Sequence, residues 1–464
     1  MPANDRTTSG WSRRGFLTAT GLGAAGFGLS LPARRADAAP RERRTASNLI
    51  FMVADGMSAG TLAMGNLLRQ QIHAKRSSWI DLMHNERTVR ALIDTRSADS
   101  FVTDSAASAS AWSVGSLVNN GAISTLPDGK PLSPILLTAK EAGLATGLVT
   151  TTRVTHATPA AFAANVGDRN LEQEIASQLL DRGFDLVIGG GARFFKGLPL
   201  DAHRVIRSRN EMHAIAPDEN ERILGLFTDS HMHYEVERPD SEPSLVEMTR
   251  FALRNLSKRK GGFALQIEGG RVDHAGHNND PAGLLYDQLA FDDAIAAAAE
   301  FTLSRDDTLL IITTDHGTAN PALTDYTTAG AAGFERVHAF KQSFEWIDAQ
   351  VAQAPDRSAN ELANIVNKAT GLTIRDTEAE LLARWFAGDR TVDPFALANK
   401  QFGPLGSIIS NHTAIAFLSP NHTCDFVELT ALGPGSSRVK PHMAINEVHK
   451  VLRAALDLPG AKAL

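Results

Sequence analysis

Five short apolar runs constrain the fold of this chain more than any other feature. The first is Asn48-Leu-Ile-Phe-Met-Val-Ala54; the others lie at 147–150, 184–188, 262–267 and 308–313. Each is rich in aliphatic and β-branched residues, is too short for a buried helix, and is separated from the next by a helix-length stretch. Unbroken apolarity, in place of alternation, marks strands covered on both faces. The pattern predicts an α/β fold with a mostly parallel central sheet and helices on both faces. Residues 320–411 carry no such run and read largely as amphipathic helix, for example at 345–353 and 358–369. We expect them to form a largely helical insertion on the main domain, a lid or an interface element, with a separate small domain as the competing reading.

Composition bounds the function classes. The 464 residues are 43% hydrophobic and 21% charged, enough for a large core, and the net charge of -6 carries no basic run in the body. Nucleic-acid binding is therefore not expected. The single cysteine, Cys424, rules out an internal disulfide and is expected to be a small core residue. Near the N-terminus, Ser12-Arg13-Arg14-Gly15-Phe16-Leu17 is a twin-arginine pattern, followed by a Gly/Ala-rich apolar segment and the small residues Ala36 and Ala38. Residues 1–38 are expected to be a cleaved signal read by the twin-arginine export machinery, delivering residues 39–464 to the periplasm or beyond. Subtracting the five basic and two acidic residues of that segment leaves 41 against 50, a net of −9. No later stretch reaches about 18 uninterrupted apolar residues, so no stable membrane anchor is expected.

The ends of the apolar runs hold the residues with chemistry. The first run leads into Asp55-Gly56-Met57, the fourth into Glu268-Gly-Gly-Arg-Val-Asp273-His274-Ala-Gly-His277, and the fifth into Asp315-His316-Gly317; Asn421-His422-Thr423 follows further on. In open parallel sheets, ligands collect at the carboxyl ends of strands. Any one of these acids could be a helix cap and any one histidine structural. Their joint recurrence at strand ends points to a divalent transition metal such as zinc. Asp273 and His277, four apart, face one centre if they share a helical turn. The run Phe101-Val-Thr-Asp-Ser-Ala-Ala-Ser-Ala-Ser-Ala-Trp-Ser113 places Ser105 at the start of an Ala-rich helix, where backbone N–H groups favour an anion. A metal would activate that hydroxyl. Arg153 and Arg169, flanking Val154-Thr-His-Ala-Thr-Pro-Ala-Ala161, are both candidate phosphate clamps on composition alone.

Taken together, these stretches resemble the alkaline phosphatase family, the metal-dependent phosphomonoesterases. The matching motifs are Val-Ala-Asp-Gly-Met (53–57), Thr-Asp-Ser-Ala-Ala-Ser (103–108), Thr-His-Ala-Thr-Pro-Ala (155–160), Glu-Gly-Gly-Arg-Val-Asp-His-Ala-Gly-His (268–277), Thr-Asp-His-Gly (314–317) and Asn-His-Thr (421–423). They occur in the family's order and span nearly the whole chain beyond residue 38. Phe227-Thr-Asp-Ser-His-Met232 also looks like the family, which makes His231 and His233 part of a familiar segment and not an extra metal site.

The resemblance implies roles by position. Ser105 would be the nucleophile that becomes phosphoserine, and Arg169, thirteen positions after His156, the phosphate-binding arginine; Arg153 falls too early. Asp273, His277 and His422 would hold one zinc, Asp55, Asp315 and His316 a second, and Asp55, Thr158 and Glu268 a third metal, magnesium in much of the family. His156 and His274 stand where some members carry Asp and Lys, close to the third site, and would draw it towards zinc or cobalt. His412 sits in a second Asn-His-Thr; His422 is preferred because residues 426–435 resemble the strand and turn after the family's ligand histidine. The implied reaction is hydrolysis of small phosphomonoester substrates, and a homodimer is a possibility the family raises. A related phosphodiesterase and a non-catalytic phosphate- or metal-binding protein are the alternatives. A sulfatase is disfavoured because Cys424 lacks the Cys-x-Pro-x-Arg context.

Overall fold

The computed structural model describes residues 45–217, 221–392 and 401–460. The twin-arginine segment, residues 1–38, lies outside them. The described residues form fourteen strands: β1 (Asn48–Ala54), β2 (Thr88–Asp94), β3 (Ala145–Arg153), β4 (Leu186–Gly190), β5 (Arg204–Ile206), β6 (Ile223–Leu226), β7 (Phe263–Gly269), β8 (Thr308–Thr313), β9 (Gly317–Thr318), β10 (Ala322–Leu323), β11 (Ile415–Ala416), β12 (His422–Thr423), β13 (Val427–Leu432) and β14 (His442–Ala444). Ten of them form one sheet in the order β14-β2-β13-β8-β1-β7-β3-β4-β6-β5. Only β13 runs antiparallel to its neighbours, β2 and β8. The remaining four make two small antiparallel pairs, β10 with β11 and β9 with β12.

The inner strands explain the apolar runs. Every residue of β1 is buried. Leu49, Phe51 and Val53 enter one apolar cluster with Trp112, Phe162 and the C-terminal helix Ile445–Leu456. Ile50, Met52 and Ala54 enter another, with Phe251 and Phe291 from the helices Leu245–Leu256 and Pro281–Leu303. One strand thus feeds two cores by simple alternation of its side chains. Burying each large side chain contributes about 1.5–3 kcal/mol. Trp112 packs edge-on against Phe51, 5.1 Å between ring centroids, which accounts for the tryptophan that closes the small-residue run after Ser105.

The four central strands β8, β1, β7 and β3 are parallel, so their carboxyl ends emerge on one edge. That edge carries the site. The segment 320–411 supplies the helices Thr328–Glu335, Phe344–Gln353, Ala359–Thr370, Asp376–Phe386 and Leu405–Thr413. It has an apolar cluster of its own, including Phe344, Ile365, Leu382 and Ile409. The described residues nonetheless belong to one compact unit. No helix among the described residues is long and apolar enough to cross a membrane. Cys424 is exposed, contrary to the expectation from sequence. It lies just past the two-residue strand β12, where the chain has left the sheet and has no core to enter.

Candidate metal centre

Among the described residues, three donor groups form where the central strands end. Asp273, His277 and His422 make one, Asp55, Asp315 and His316 a second, and Asp55, Glu268 and His156 a third, each with ligand atoms within 4.8 Å of one another. Asp55 is shared between the last two and is fully buried, as are Glu268, Asp315 and His316. Thr158 joins at the same place, its hydroxyl donating to Asp55 Oδ2 at 3.2 Å.

The first group is built by a helix and a short strand. Asp273 and His277 lie on the helix Arg271–Asn278, and their side chains approach to 3.4 Å. His422 comes from β12, with Nε2 3.6 Å from Asp273 Oδ1. The outer nitrogen of each ring is tied to a backbone carbonyl: His277 Nδ1 donates to Pro420 O at 2.5 Å and His422 Nδ1 to Thr103 O at 2.8 Å. A neutral imidazole carries one proton, so both Nε2 atoms present lone pairs. These two lone pairs face each other at 3.0 Å.

The second group shares a hinge point with the first. Thr318, the last residue of β9, donates its hydroxyl to Asp273 Oδ1 at 2.6 Å. Thr318 Oγ1 also lies 3.2 Å from His316 Nδ1, from which it accepts. This leaves His316 Nε2 facing Asp315 Oδ2 at 3.1 Å and Ser105 Oγ at 3.2 Å. Gly56 makes room for all of this. Its φ is +68°, and a Cβ there would meet Asp273 Oδ1 at 2.6 Å and Thr318 Oγ1 at 2.7 Å. Its N–H donates to Asp315 Oδ1 at 2.9 Å.

Ser105 opens the helix Ser105–Val114, with Asp104 as N-cap accepting from Ala107 N at 2.9 Å. The other Asp104 oxygen accepts from Gly121 N and from Arg169 Nη1, at 2.9 and 3.0 Å. Arg169 is thereby held beside the helix start. Arg153 is engaged elsewhere, with two hydrogen bonds to Glu172 at 2.7 and 2.8 Å and a close contact to His231.

The electrostatics divide the carboxylates. Burial pushes Asp55 well above its ordinary value, and the nearby Asp315, Asp273 and Glu268 add to the push. Burial likewise drives Glu268 up to about 7 against its hydrogen bond from Thr150, with Asp315 contributing. Asp273 is held below its ordinary value: burial opposes this, but His277, His422 and His316 outweigh it. Burial opposes the ionised Asp315 as well, and His316 beside it prevails. Burial, then His316, brings His422 down to about 4.

Around the third group, three histidines each meet an arginine. His156 Nε2 accepts from Arg169 Nη2 at 3.2 Å and His274 Nδ1 from Arg271 Nη1 at 2.8 Å, while His231 meets Arg153. The rings of His231 and His274 are 4.3 Å apart, and His156 lies 5.3 Å from His274. His231 and His233 belong to none of the three donor groups among the described residues. His233 turns instead to Glu242, at 2.5 Å.

The structure brings together the residues to which the resemblance assigns a place at the site: Asp55, Ser105, His156, Thr158, Arg169, Glu268, Asp273, His274, His277, Asp315, His316 and His422. It separates the two Asn-His-Thr histidines. His412 lies in the last turn of the helix Leu405–Thr413 and bonds Glu378 at 2.9 Å, and it belongs to none of the three groups. Sequence reasoning missed Thr318, which lies one residue past the Thr-Asp-His-Gly motif, and the backbone carbonyls of Thr103 and Pro420. It also missed Tyr234 and Glu345, which flank Arg271.

Comparison with known proteins agrees with this geometry. The alkaline phosphatase family model matches residues 46–458. The repressible alkaline phosphatase of Saccharomyces cerevisiae is 35% identical over 322 residues, which cover 61% of this chain and 56% of that protein. The match with the alkaline phosphatase of Schizosaccharomyces pombe similarly spans 55% of its length, just over half. Alkaline phosphatase 4 of Bacillus subtilis is 26% identical over 425 residues, 88% of each chain. The crystal structure of Thermus thermophilus alkaline phosphatase is similar with a TM-score of 0.82 at 32% identity, covering 94% of this chain and 98% of that one. With its motifs, its sheet and its site in agreement, this chain belongs to the alkaline phosphatase family.

Proposed function

We propose that this chain hydrolyses phosphate monoesters to an alcohol and inorganic phosphate, with Ser105 as the nucleophile. The observation that carries the reading is Ser105 Oγ at the N-terminus of a ten-residue helix, 3.2 Å from His316 Nε2 of a buried carboxylate–imidazole group.

The donor chemistry fits three cations. Two imidazole lone pairs facing each other at 3.0 Å repel unless a positive charge sits between them and Asp273. Asp55 Oδ1 and Glu268 Oε1 are buried without a hydrogen-bond partner, which is costly for carboxylates unless they bind metal. Asp273, His277 and His422 would hold one zinc, Asp55, Asp315 and His316 a second. Asp55, Thr158 and Glu268 would hold magnesium, with zinc or cobalt as the alternative because His156 stands at ligand distance from that group. Bound there, the cations supply Lewis acidity, lowering the pKa of the attacking oxygen and neutralising charge on the phosphoryl group.

The chain's own residues do the rest. The backbone N–H groups of the helix start and the Arg169 guanidinium receive the phosphoryl oxygens. Asp104 orients Arg169 through its 3.0 Å ion pair and caps the same helix, so arginine and nucleophile are positioned by one carboxylate. Ser105 Oγ attacks phosphorus in line with the departing alcohol, and water then cleaves the phosphoserine. Buried surroundings keep the charges of the site strong by excluding bulk water.

The segment 320–411 fits a lid or interface role, because it docks beside the site: Phe344 N donates to Asp280 Oδ2 at 2.7 Å, three residues beyond His277. The Ser12–Leu17 motif supports export by the twin-arginine route to the periplasm or medium, and detection of a mature N-terminus near residue 39 in the exported fraction tests it.

The reading as a whole is tested with residues 39–464 and an aryl phosphate, in zinc and magnesium and again after chelation. Metal-dependent phosphate release, far faster than from the matching diester, is expected. Faster diester turnover, or none with either substrate, would overturn it.

A further inference from the structure

The inserted segment reaches the site through one acid. Glu345 lies in the first turn of the helix Phe344–Gln353. Its Oε2 accepts from Arg271 Nη2 at 2.7 Å, and its Oε1 accepts from the Tyr234 hydroxyl at 3.4 Å. The Arg271 guanidinium lies over the Tyr234 ring, 3.8 Å from its centroid. Held on two sides, Arg271 extends its other arm, Nη1, to His274 Nδ1 at 2.8 Å.

This contact dictates the tautomer of His274. A guanidinium has donors only, so Nδ1 must accept and the ring proton resides on Nε2. An imidazole with Nε2–H offers a hydrogen bond from that nitrogen and cannot ligate a cation through it. His274 belongs to none of the three donor groups among the described residues, although Asp273 beside it belongs to one. Its ring lies 5.3 Å from that of His156, which in turn meets Arg169, so His274 stands one ring away from the candidate phosphate arginine.

We propose that Glu345 is a positioning residue that acts through Arg271 to fix His274 as an Nε2–H donor to the substrate's phosphoryl oxygens, keeping it out of the metal set. The identity of the group that His274 meets rests on the monoesterase reading; the tautomer does not. The inserted segment is then part of the machinery that sets the polarity of the site.

The test uses the zinc- and magnesium-loaded chain with 15N-labelled histidine, observed by long-range 1H–15N spectra. The His274 signals are those lost in His274→Gln. The wild type should show the Nε2-protonated pattern. Glu345→Ala should shift His274 towards a mixture of tautomers and lower kcat about fivefold, with KM changed less than about twofold. Glu345→Gln, which keeps a hydrogen-bond acceptor for Arg271, should restore most of the wild-type pattern. An Nδ1-protonated ring in the wild type would overturn the proposal. So would an unchanged His274 pattern in Glu345→Ala, even with a lowered melting temperature, since that marks a purely structural contact. A His274 pattern that responds to Glu345 in a protein with no phosphatase activity would support the relay while removing the monoesterase reading.

Discussion

His277 and His422 direct their Nε2 lone pairs at each other across 3.0 Å, each ring fixed from behind by a backbone carbonyl. A histidine pair oriented in this way is set to share a cation with Asp273. His422→Ala should therefore leave the purified protein short of one zinc by elemental analysis. His412→Ala should keep its zinc, because His412 is bonded to Glu378. Equal losses in the two variants would remove His422 from the centre.

Ser105→Ala keeps the helix start and its Asp104 cap but deletes the oxygen proposed to attack phosphorus. Trapping with labelled phosphate should give no phosphoenzyme, and kcat should fall by on the order of 10³-fold or more. Phosphate should still bind, because the N–H groups and Arg169 are intact.

Thr318→Val removes one hydroxyl that serves two donor groups. Asp273 loses its 2.6 Å hydrogen bond and His316 loses the partner that sets its tautomer. Removing such outer contacts typically weakens metal binding about 10–100-fold. Competition with a zinc chelator should detect the loss, and Thr318→Ser should recover most of it.

Gly56→Ala forces a side chain into a left-handed conformation, at a cost of roughly 1–2 kcal/mol, and drives its Cβ onto Asp273 and Thr318. Both the melting temperature and zinc affinity should drop. A drop in stability with unchanged zinc affinity would show that the helix Arg271–Asn278 can shift without opening the centre.

Glu378 governs an acid sensitivity remote from the centre. Burial opposes its ionisation, but hydrogen bonds from Arg375, His412 and Asn411 outweigh this and hold it at about 2, against an ordinary value of 4.5. A carboxylate depressed by folding stabilises the folded state above its unfolded pKa, and that contribution disappears as pH falls through the folded value. Urea unfolding compared between wild type and Glu378→Gln should show a stability difference above about pH 4.5 that shrinks towards pH 2. A difference independent of pH would show that the ionised form is not the stabilising one.

How far the sequence could be read depended on the length and burial of each element. β1, β3, β4, β7 and β8 are inner strands, and each contains or overlaps one of the five apolar runs. β5, β6 and β14 have three or four residues each at or near the sheet's edges, too few for any period to emerge. β2 was hidden for another reason: its outer positions, such as Arg90, pair with Glu428 in solvent, which breaks the apolar run. Among site residues, acids and histidines at strand ends were legible because their chemistry is narrow. Thr318 was not, since a threonine at a strand end has many ordinary uses. Glu345 was read as one polar position of an amphipathic helix, because its contact with Arg271 spans 74 positions of chain and only the docked insertion creates it. Cys424 misled because cysteine composition favours burial while its neighbours decide it.

The alternation along β1 carries a consequence for how such a chain can change. Phe51 and Met52 are adjacent in sequence but belong to opposite cores. A slip of one residue would exchange every side chain of β1 between those cores and carry Asp55 about 3.3 Å along the strand, out of reach of its partners. The tolerance of the catalytic edge is therefore enforced at a distance by aliphatic and aromatic groups that never touch a reactant. Substitutions on either side of the sheet act as calibration errors in a mechanism they do not join, and evolutionary drift in one core is constrained by the fit of the other.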